Sequence, residues 1–277
     1  MEISRRHLLK GALALATGAT AGMLVHGYGW GRYALGVTRV ELPLSGLPQA
    51  LEGLRIGFLT DVHHSAMVPA DLVSEAVALL NAEHTDLIVL GGDYVSFAER
   101  EYMAPVAERL SALAAPHGVF GIIGNHDDER VMPAELRRRG VEMLLDDRTS
   151  VAIRGAQLEL AGVKFWTKTR AEIGLVVNGA KSPVLLLAHD PRRVVEAAAL
   201  EVPGVLSGHT HGGQVVLPLV GALAARKFPV AEGRLTRQGT EMFVSRGVGT
   251  VVVPVRVNCP PEVAVVTLRQ PARATLR

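Results

Sequence analysis

Five polar clusters, each directly after an apolar segment of strand length, constrain this chain more than any other feature of its sequence. In an open α/β sheet, ligands bind at the carboxyl ends of the strands, so clusters in this position are expected to converge on one edge of a sheet. Five of the ten histidines lie in these clusters, which concentrates imidazole groups where the strands end. In chain order the clusters are Asp61-Val62-His63, Gly92-Asp93, Gly124-Asn125-His126-Asp127, Ala188-His189-Asp190 and Gly208-His209-Thr210-His211.

Strand and helix patterns alternate in the first half of the body, and the second half is richer in strands. This alternation predicts an α/β fold in which two mixed β-sheets pack as a sandwich flanked by helices. Residues 40–277 contain no Ser- or Pro-rich linker, which predicts one domain. The predicted strands are 54–60, 87–90, 119–123, 151–153, 158–161, 184–188, 205–207, 214–217, 242–245, 250–253 and 263–268. The predicted helices are 69–80, 101–115, 133–139 and 192–200.

The residue types in the clusters suit divalent metal ions. Carboxylate, imidazole and amide oxygen are ligands for ions such as Mn, Fe and Zn. Two ions about 3.5–4 Å apart need a shared ligand, and a carboxylate with two oxygens is the natural bridge, for which Asp93 is the best candidate. The single cysteine, Cys259, excludes both an intramolecular disulfide and a zinc site built from several thiolates.

In this order the clusters resemble the calcineurin-like metallophosphoesterases, and the resemblance covers about residues 54–270. The segments 208–218 (GHTHGGQVVLP) and 256–262 (RVNCPPE) are similar to a twin-arginine-exported bacterial branch of that family. The resemblance implies the double β-sandwich of the family and a dinuclear metal centre. It implies that His126 faces the substrate. The ligands that it implies are Asp61, His63, Asp93 and His211 for one ion, and Asp93, Asn125, His189 and His209 for the other.

Three side chains next to the predicted site residues in the sequence are expected to have other roles. His64 falls outside the ligand pattern and is expected to lie behind the ligands or at the surface. Asp127 is placed to orient His126 through a hydrogen bond. Asp190 is expected to cap the helix that follows it.

These residues predict a metal-dependent phosphoesterase of the phosphodiesterase type, acting on a small phosphoester. A water that bridges two dications loses a proton readily, and the resulting hydroxide would attack phosphorus in line. His126 would stabilise charge on the phosphoryl oxygens and protonate the leaving oxygen. The sequence leaves open monoester, diester or pyrophosphate cleavage and the identity of the ions.

Two alternatives to a phosphodiesterase stay open. The apolar segment 217–230 (LPLVGALAARKFPV) carries Arg226 and Lys227, and favours a pyrophosphatase acting on a lipid-linked or nucleotide-linked phosphate at the membrane surface. A plain hairpin packed on the sheet would explain the same segment. A metal-stabilised binding scaffold without turnover is the other alternative, and the complete ligand set and His126 argue against it.

Residues 1–31 have the pattern of an export signal. Arg5-Arg6 and Lys10 precede a stretch from 11 to 31 without Lys, Arg, Asp or Glu, whose core, 11–25, is rich in Ala, Leu and Gly. The pattern resembles the twin-arginine signal S-R-R-x-F-L-K, with Leu8 in the place of the phenylalanine. We therefore expect the twin-arginine translocation machinery as a partner, and a body in the periplasm or on the outer face of the cytoplasmic membrane. Cleavage after Ala19-Thr20-Ala21 and retention as an anchor both fit, because about 20 residues span a bilayer.

The charge of the body argues against one class of partner. Without the leader's three basic residues and Glu2, the chain holds 26 basic and 26 acidic residues, so the net charge of +2 belongs to the leader. Binding to a polyphosphate backbone needs a cluster of Lys and Arg on one face. No stable nucleic-acid complex is expected.

Overall fold

The computed structural model describes residues 5–272; Ser4 of the leader pattern and residues 273–277 of the predicted domain lie outside this range. In chain order the helices and strands of the described residues are α1 (Arg5–Gly29), β1 (Gly36–Pro43), β2 (Arg55–Leu59), α2 (Ala70–Ala82), β3 (Leu87–Leu90), α3 (Arg100–Leu110), β4 (Val119–Gly121), α4 (Val131–Arg137), β5 (Val141–Met143), β6 (Asp147–Ile153), β7 (Ala156–Val163), α5 (Arg170–Val177), β8 (Val184–Ala188), α6 (Val194–Ala199), β9 (Gly204–Ser207), β10 (Val216–Leu217), β11 (Gly221–Ala222), β12 (Gly233–Arg237), β13 (Thr240–Val244) and β14 (Glu262–Arg269).

Two mixed sheets form the centre of the structure, each with six strands among the described residues. The first has the order β1-β14-β2-β3-β4-β5, in which β2 to β5 are parallel and β14 is antiparallel to β2. The second has the order β12-β13-β9-β8-β7-β6, with β13, β9, β8 and β7 parallel and an antiparallel strand at each edge. The strands β10 and β11 form a separate small hairpin.

The largest apolar side chains of both sheets fill the space between them. Ile56 and Phe58 of β2 belong to the same buried cluster as Leu185 of β8 and Phe243 of β13. The rings of Phe58 and Phe243 meet edge to face across the sandwich, with centroids 6.4 Å apart. Helices α2, α3 and α4 cover the outer face of the first sheet, and α5 and α6 cover that of the second. Strands buried on both faces explain why β3 and β8 are continuous apolar runs.

This architecture confirms the predicted sandwich of two mixed sheets flanked by helices. The bounds predicted for 87–90 and 184–188 match β3 and β8. The strand predicted at 250–253 is wrong: Val252 has a φ of +65°, which no strand residue adopts, and the segment is a loop. The strand predicted at 214–217 is reduced to β10, because Gln214 also has a positive φ, of +54°.

Several elements carried too weak a sequence signal to be predicted. Strand β1 joins the first sheet next to β14 and begins at Gly36, ahead of the predicted domain start at residue 40. Helix α5 begins with a capping box formed by Thr169 and Glu172. The helix predicted at 192–200 is a short 3₁₀ turn followed by α6.

Residues 5–29 form helix α1, whose last turns pack against the residues that follow. Gly27 accepts a hydrogen bond from the backbone N–H of Arg256, at 3.2 Å. A side chain at Gly27 would collide with Val255 and Val257, so the close approach depends on this glycine. Of the helices in residues 5–272, none combines the length and the apolar character that crossing a membrane requires.

Candidate metal centre

The five polar clusters meet at one edge of the sandwich. They follow the carboxyl ends of β2, β3 and β4 in the first sheet and of β8 and β9 in the second. The predicted site side chains are all buried or half-buried there: Asp61, His63, Asp93, Asn125, His126, His189, His209 and His211. The fold thus brings together every side chain that the sequence predicts for the site.

The first of two groups of candidate metal ligands consists of Asp61, His63 and His211. Their ligand atoms lie within 4.8 Å of one another. The Nε2 atom of His211 is 3.1 Å from Nε2 of His63 and 3.2 Å from Oδ1 of Asp61. Burial lowers the pKa of His63 to about 3 and lowers the pKa of His211 well below its ordinary value. Two neutral imidazoles and a carboxylate that face one another this closely are a ligand set for a cation.

Asp93, His189 and His209 form the second group, again within 4.8 Å. The Nδ1 atom of His189 lies 2.7 Å from the carbonyl oxygen of Gly91. Because a carbonyl can only accept, Nδ1 carries a proton, and Nε2 is the atom that would present a lone pair to a bound cation once the ring is neutral. This Nε2 lies 3.0 Å from Oδ2 of Asp93, and the Oδ1 atom of Asn125 is buried without a hydrogen-bond partner.

The carboxylate of Asp93 faces both groups. Its Oδ2 atom is 3.0 Å from Nε2 of His189 and 3.5 Å from Nε2 of His63. Its Oδ1 atom accepts a hydrogen bond from the backbone N–H of His126, at 2.8 Å. One oxygen therefore fixes the side chain, and the other lies between the two groups.

The buried carboxylates require positive charge beside them. Burial and the nearby Asp93 raise the pKa of Asp61 to about 6. Burial alone would lower the pKa of His189. The attraction of its proton to the carboxylates of Asp93 and Asp61 is larger and raises the pKa to about 10. A proton on His189 thus supplies the charge that a bound cation would supply. The donor set, together with the unpartnered Oδ1 atom of Asn125, fits two divalent ions.

His126 lies beside these groups and is held by the backbone. Its Nδ1 atom accepts a hydrogen bond from the N–H of Phe97, at 3.0 Å. Burial lowers the pKa of His126, which favours the neutral ring. With Nδ1 accepting, that ring carries its proton on Nε2. The ring centroid is 4.9 Å from that of His63, so a proton donor lies at the margin of the first group.

Backbone strain is concentrated at the predicted ligands. Non-glycine residues with positive φ are uncommon and cluster at functional sites. The φ angles of five predicted ligands lie between +49° and +70°, and these residues are Asp61, His63, Asp93, His209 and His211. Five of the seven predicted ligands therefore have a backbone conformation that is frequent at functional sites.

Two glycines permit the close approach of the loops. A Cβ at Gly124 would collide with the carboxylate of Asp93, and one at Gly208 would collide with that of Asp61. The glycines of the third and fifth clusters are therefore part of the geometry of the site.

The structure settles the roles of the three neighbouring side chains. The prediction that Asp127 orients the ring of His126 is wrong: its carboxylate accepts from the backbone N–H groups of Asp93, Tyr94 and Gly124, and so joins two loops. Asp190 caps the turn that begins at Pro191, as predicted. The Nδ1 atom of His64 lies 2.9 Å from the carbonyl oxygen of Val68, outside both groups.

The sequence did not predict the buried arginine, Arg256, that holds the backbone next to the first group of ligands. The guanidinium of Arg256 is 1% exposed and donates to the carbonyl oxygens of Arg246, Gly247, Gly249 and Cys259. Gly249 in turn donates its N–H to the carbonyl oxygen of Asp61, at 2.7 Å.

The thiol of Cys259 also contacts the backbone of the first group of ligands. It is buried, and it donates to the carbonyl oxygen of His211 at 3.1 Å. A buried arginine without its own carboxylate is uncommon, but in a sequence it looks like any surface arginine.

Comparison with known proteins agrees with this geometry. The family model described as calcineurin-like phosphoesterase matches residues 54–213, which include all five clusters. This chain belongs to the calcineurin-like phosphoesterase family. As a member it is a metal-dependent phosphoester hydrolase, and its two groups of ligand atoms support a dinuclear centre of divalent ions.

Two bacterial relatives of this phosphoesterase match over most of their length. Phosphodiesterase YaeI of Escherichia coli is 35% identical over 228 residues, which are 77% of this chain and 82% of that protein. The uncharacterized metallophosphoesterase YkuE of Bacillus subtilis is 28% identical over 284 residues, covering 97% of this chain and 98% of that one.

A solved structure shares the fold of this phosphoesterase. The sulfate thiohydrolase SoxB of Thermus thermophilus aligns with a TM-score of 0.50 at 11% identity, covering 80% of this chain and 57% of that one. At this identity the likeness concerns the fold alone.

Proposed function

We propose that this phosphoesterase hydrolyses phosphodiesters with two divalent ions held side by side. The observation that carries the proposal is the position of Asp93 Oδ2 between His63 and His189. The name of the Escherichia coli relative, a phosphodiesterase, supports the diester over the monoester. The ligands proposed for the first ion are Asp61, His63, Asp93 and His211, and those for the second are Asp93, Asn125, His189 and His209.

The residues of the chain prepare the site for in-line hydrolysis. When bound, two divalent ions supply positive charge to the phosphoryl oxygens and lower the pKa of the attacking water. The bond from His189 Nδ1 to Gly91 aims the ring into the site, and the bond from His126 N–H to Asp93 fixes the shared carboxylate. These side chains are positioned before the substrate arrives, so little reorganisation accompanies the reaction.

His126 is proposed as the general acid. Because its Nδ1 accepts from Phe97, its proton is on Nε2, available to a leaving oxygen. His126 is absent from both groups of candidate ligand atoms. Its proposed contribution is to donate this proton and to stabilise charge on the phosphoryl group.

Metal analysis combined with a substrate panel tests this proposal. We expect the purified protein loaded with Mn, Fe or Zn to hold two ions per chain and to hydrolyse bis(p-nitrophenyl) phosphate, and removal of the ions to abolish turnover. The panel includes a phosphomonoester and a nucleotide-sugar pyrophosphate. Preference for the pyrophosphate would favour the pyrophosphatase alternative, and two bound ions without turnover on any member would contradict the proposal.

We further propose that the chain is exported in folded form by the twin-arginine route. A centre built from side chains of five separate segments exists only in the folded chain, so metal binding is coupled to folding. Folding before export would let the protein acquire its ions in the cytoplasm, without competition from Zn or Cu outside. The paired Arg5-Arg6 and the absence of any pair of cysteines in the sequence support this route.

Changing Arg5-Arg6 to Lys-Lys tests the route. We expect this variant to accumulate in the cytoplasm as metal-loaded, active enzyme that still carries its leader. Fractionation followed by metal analysis and a phosphodiesterase assay measures this result. If the variant reaches the outer face as well as the wild type does, the leader is a general signal or an anchor and the proposal of folded export is wrong.

A further inference from the structure

We infer that the substrate of this phosphoesterase carries an apolar chain that binds in a cavity beside the metal centre. The inference rests on the proposed function, and it adds the chemical class of the group attached to the phosphate.

The cavity has a volume of about 520 Å³ and opens directly onto the site. His209 and His211, one from each ligand group, form part of its wall. Most of the remaining wall is apolar, with Leu217, Leu223 and Phe228 on one side. A group attached to a phosphate at the metal centre would therefore lie next to this space.

The loop of residues 251–253 forms another part of the wall, and the side chain of Gln214 holds it in place. The amide of Gln214 donates to the carbonyl oxygens of Val251 and Val253, each at 3.2 Å, and accepts from the N–H of Val251 at 2.7 Å. Between them Val252 has a φ of +65°, a strained conformation for a β-branched residue. The cavity is therefore preformed, and strain of this kind is characteristic of binding sites.

The apolar character of this region extends to the surface. Leu223, Val252 and Val253 line the cavity and are also exposed to solvent. Leu219 and Val220, in the turn between β10 and β11, are exposed as well. Exposed apolar side chains grouped around an apolar cavity are typical of ligand-binding sites.

The charges at the cavity suit an anionic head and an uncharged tail. Lys227 lines the cavity, with its Nζ atom 5.2 Å from the ring centroid of Phe228, and the guanidinium of Arg192 lies 5.6 Å from the same ring. Among the described residues that line the cavity, none is acidic. A phosphate with an apolar chain matches this arrangement, whereas a second highly charged group would lie against the apolar wall.

A series of p-nitrophenyl alkyl phosphodiesters measures the effect directly. The methyl, butyl and octyl esters share the leaving group and differ only in the chain. Each methylene that leaves water for an apolar cavity contributes up to about fourfold in binding. For the metal-loaded wild type we expect kcat/KM to rise at least about 100-fold from the methyl to the octyl ester, measured below the concentration at which the octyl ester forms micelles.

Two variants with the same chemical change locate the chain. Leu223→Gln places an amide in the cavity wall and should lower the octyl-to-methyl ratio of kcat/KM at least about fivefold. Leu175→Gln makes the same change at an exposed position of α5, outside the cavity, and should leave the ratio unchanged. An equal ratio in wild type and Leu223→Gln would show that the chain binds elsewhere and would overturn the inference.

The methyl ester separates this inference from the proposed function. If the wild type cleaves the methyl and octyl esters equally well, the apolar-chain inference is wrong while the phosphodiesterase proposal stands. If it cleaves neither, the proposed function fails and the inference fails with it. A hexadecyl ester embedded in phosphatidylcholine vesicles distinguishes the two sources of such a substrate: cleavage in vesicles supports a membrane lipid, and cleavage of monomeric esters alone supports a soluble amphiphile.

Discussion

Replacing Asp93 with asparagine should remove at least one metal ion and reduce turnover by more than about 100-fold, since changes that only support a ligand already cost 10–100-fold. The reason lies in the different contacts of the two oxygens of Asp93. Oδ1 of Asp93 accepts from the N–H of His126, so the asparagine oxygen takes that place and its NH₂ group replaces Oδ2. A hydrogen-bond donor would then point at His63 and His189, where both ions need a negative oxygen.

Metal content per chain and kcat/KM for a phosphodiester measure this result. Asp128→Asn is the matched control, because Asp128 lies outside both ligand groups and its Oδ1 atom accepts from the N–H groups of Arg130 and Val131, which an asparagine oxygen can also do; the change weakens only an ion pair with the exposed Arg100. A variant of Asp93 with two ions and near-normal turnover would remove the basis for the shared carboxylate.

Replacing His126 with alanine should slow the reaction by about 10²–10⁴-fold while both ions are retained. No proposed ligand is lost, because His126 contributes only its backbone N–H to Asp93, and alanine keeps that group. The loss should shrink for esters with good leaving groups, which depart without a proton. The measurement is kcat for esters whose alcohols differ in pKa, together with metal analysis of each protein.

The control for this variant is His117→Ala. His117 lies in the loop before β4, at the opposite end of that strand from the site, and its removal should change neither kcat nor metal content. An equal loss for every leaving group would restrict His126 to electrostatic stabilisation. Loss of an ion would make it a ligand instead.

The sequence predicted the residues of the site better than it predicted the edge strand β1 of the first sheet. The ligand clusters are visible because each one directly follows a strand that is buried on both faces, as with β3 before Asp93. Strand β1 alternates buried and exposed residues only weakly, and its partner β14 lies more than 200 residues away. Such a non-local pairing leaves no local signal.

The loop at 250–253 shows why propensity fails near a cavity. A run of valines favours a strand, but propensity for strands measures packing on a pleated surface, and tertiary context can override it. Here Gln214 takes the hydrogen bonds that a neighbouring strand would make, and Val252 is turned outward. The supporting arginine, Arg256, was missed for a related reason, since its partners are backbone carbonyls that no sequence pattern reveals.

The buried thiol of Cys259 provides an intrinsic reporter of local opening. Only a thiolate reacts readily with alkylating reagents, and burial raises the pKa of this thiol, so the closed protein is protected. Labelling then requires the segment around it to open, and its rate measures the free energy of that opening. Because the thiol is bonded to the backbone of His211, ions that stabilise the closed segment by mass action should slow the labelling. With one cysteine in the sequence the signal has a single source, so occupancy of the centre can be followed without any substrate.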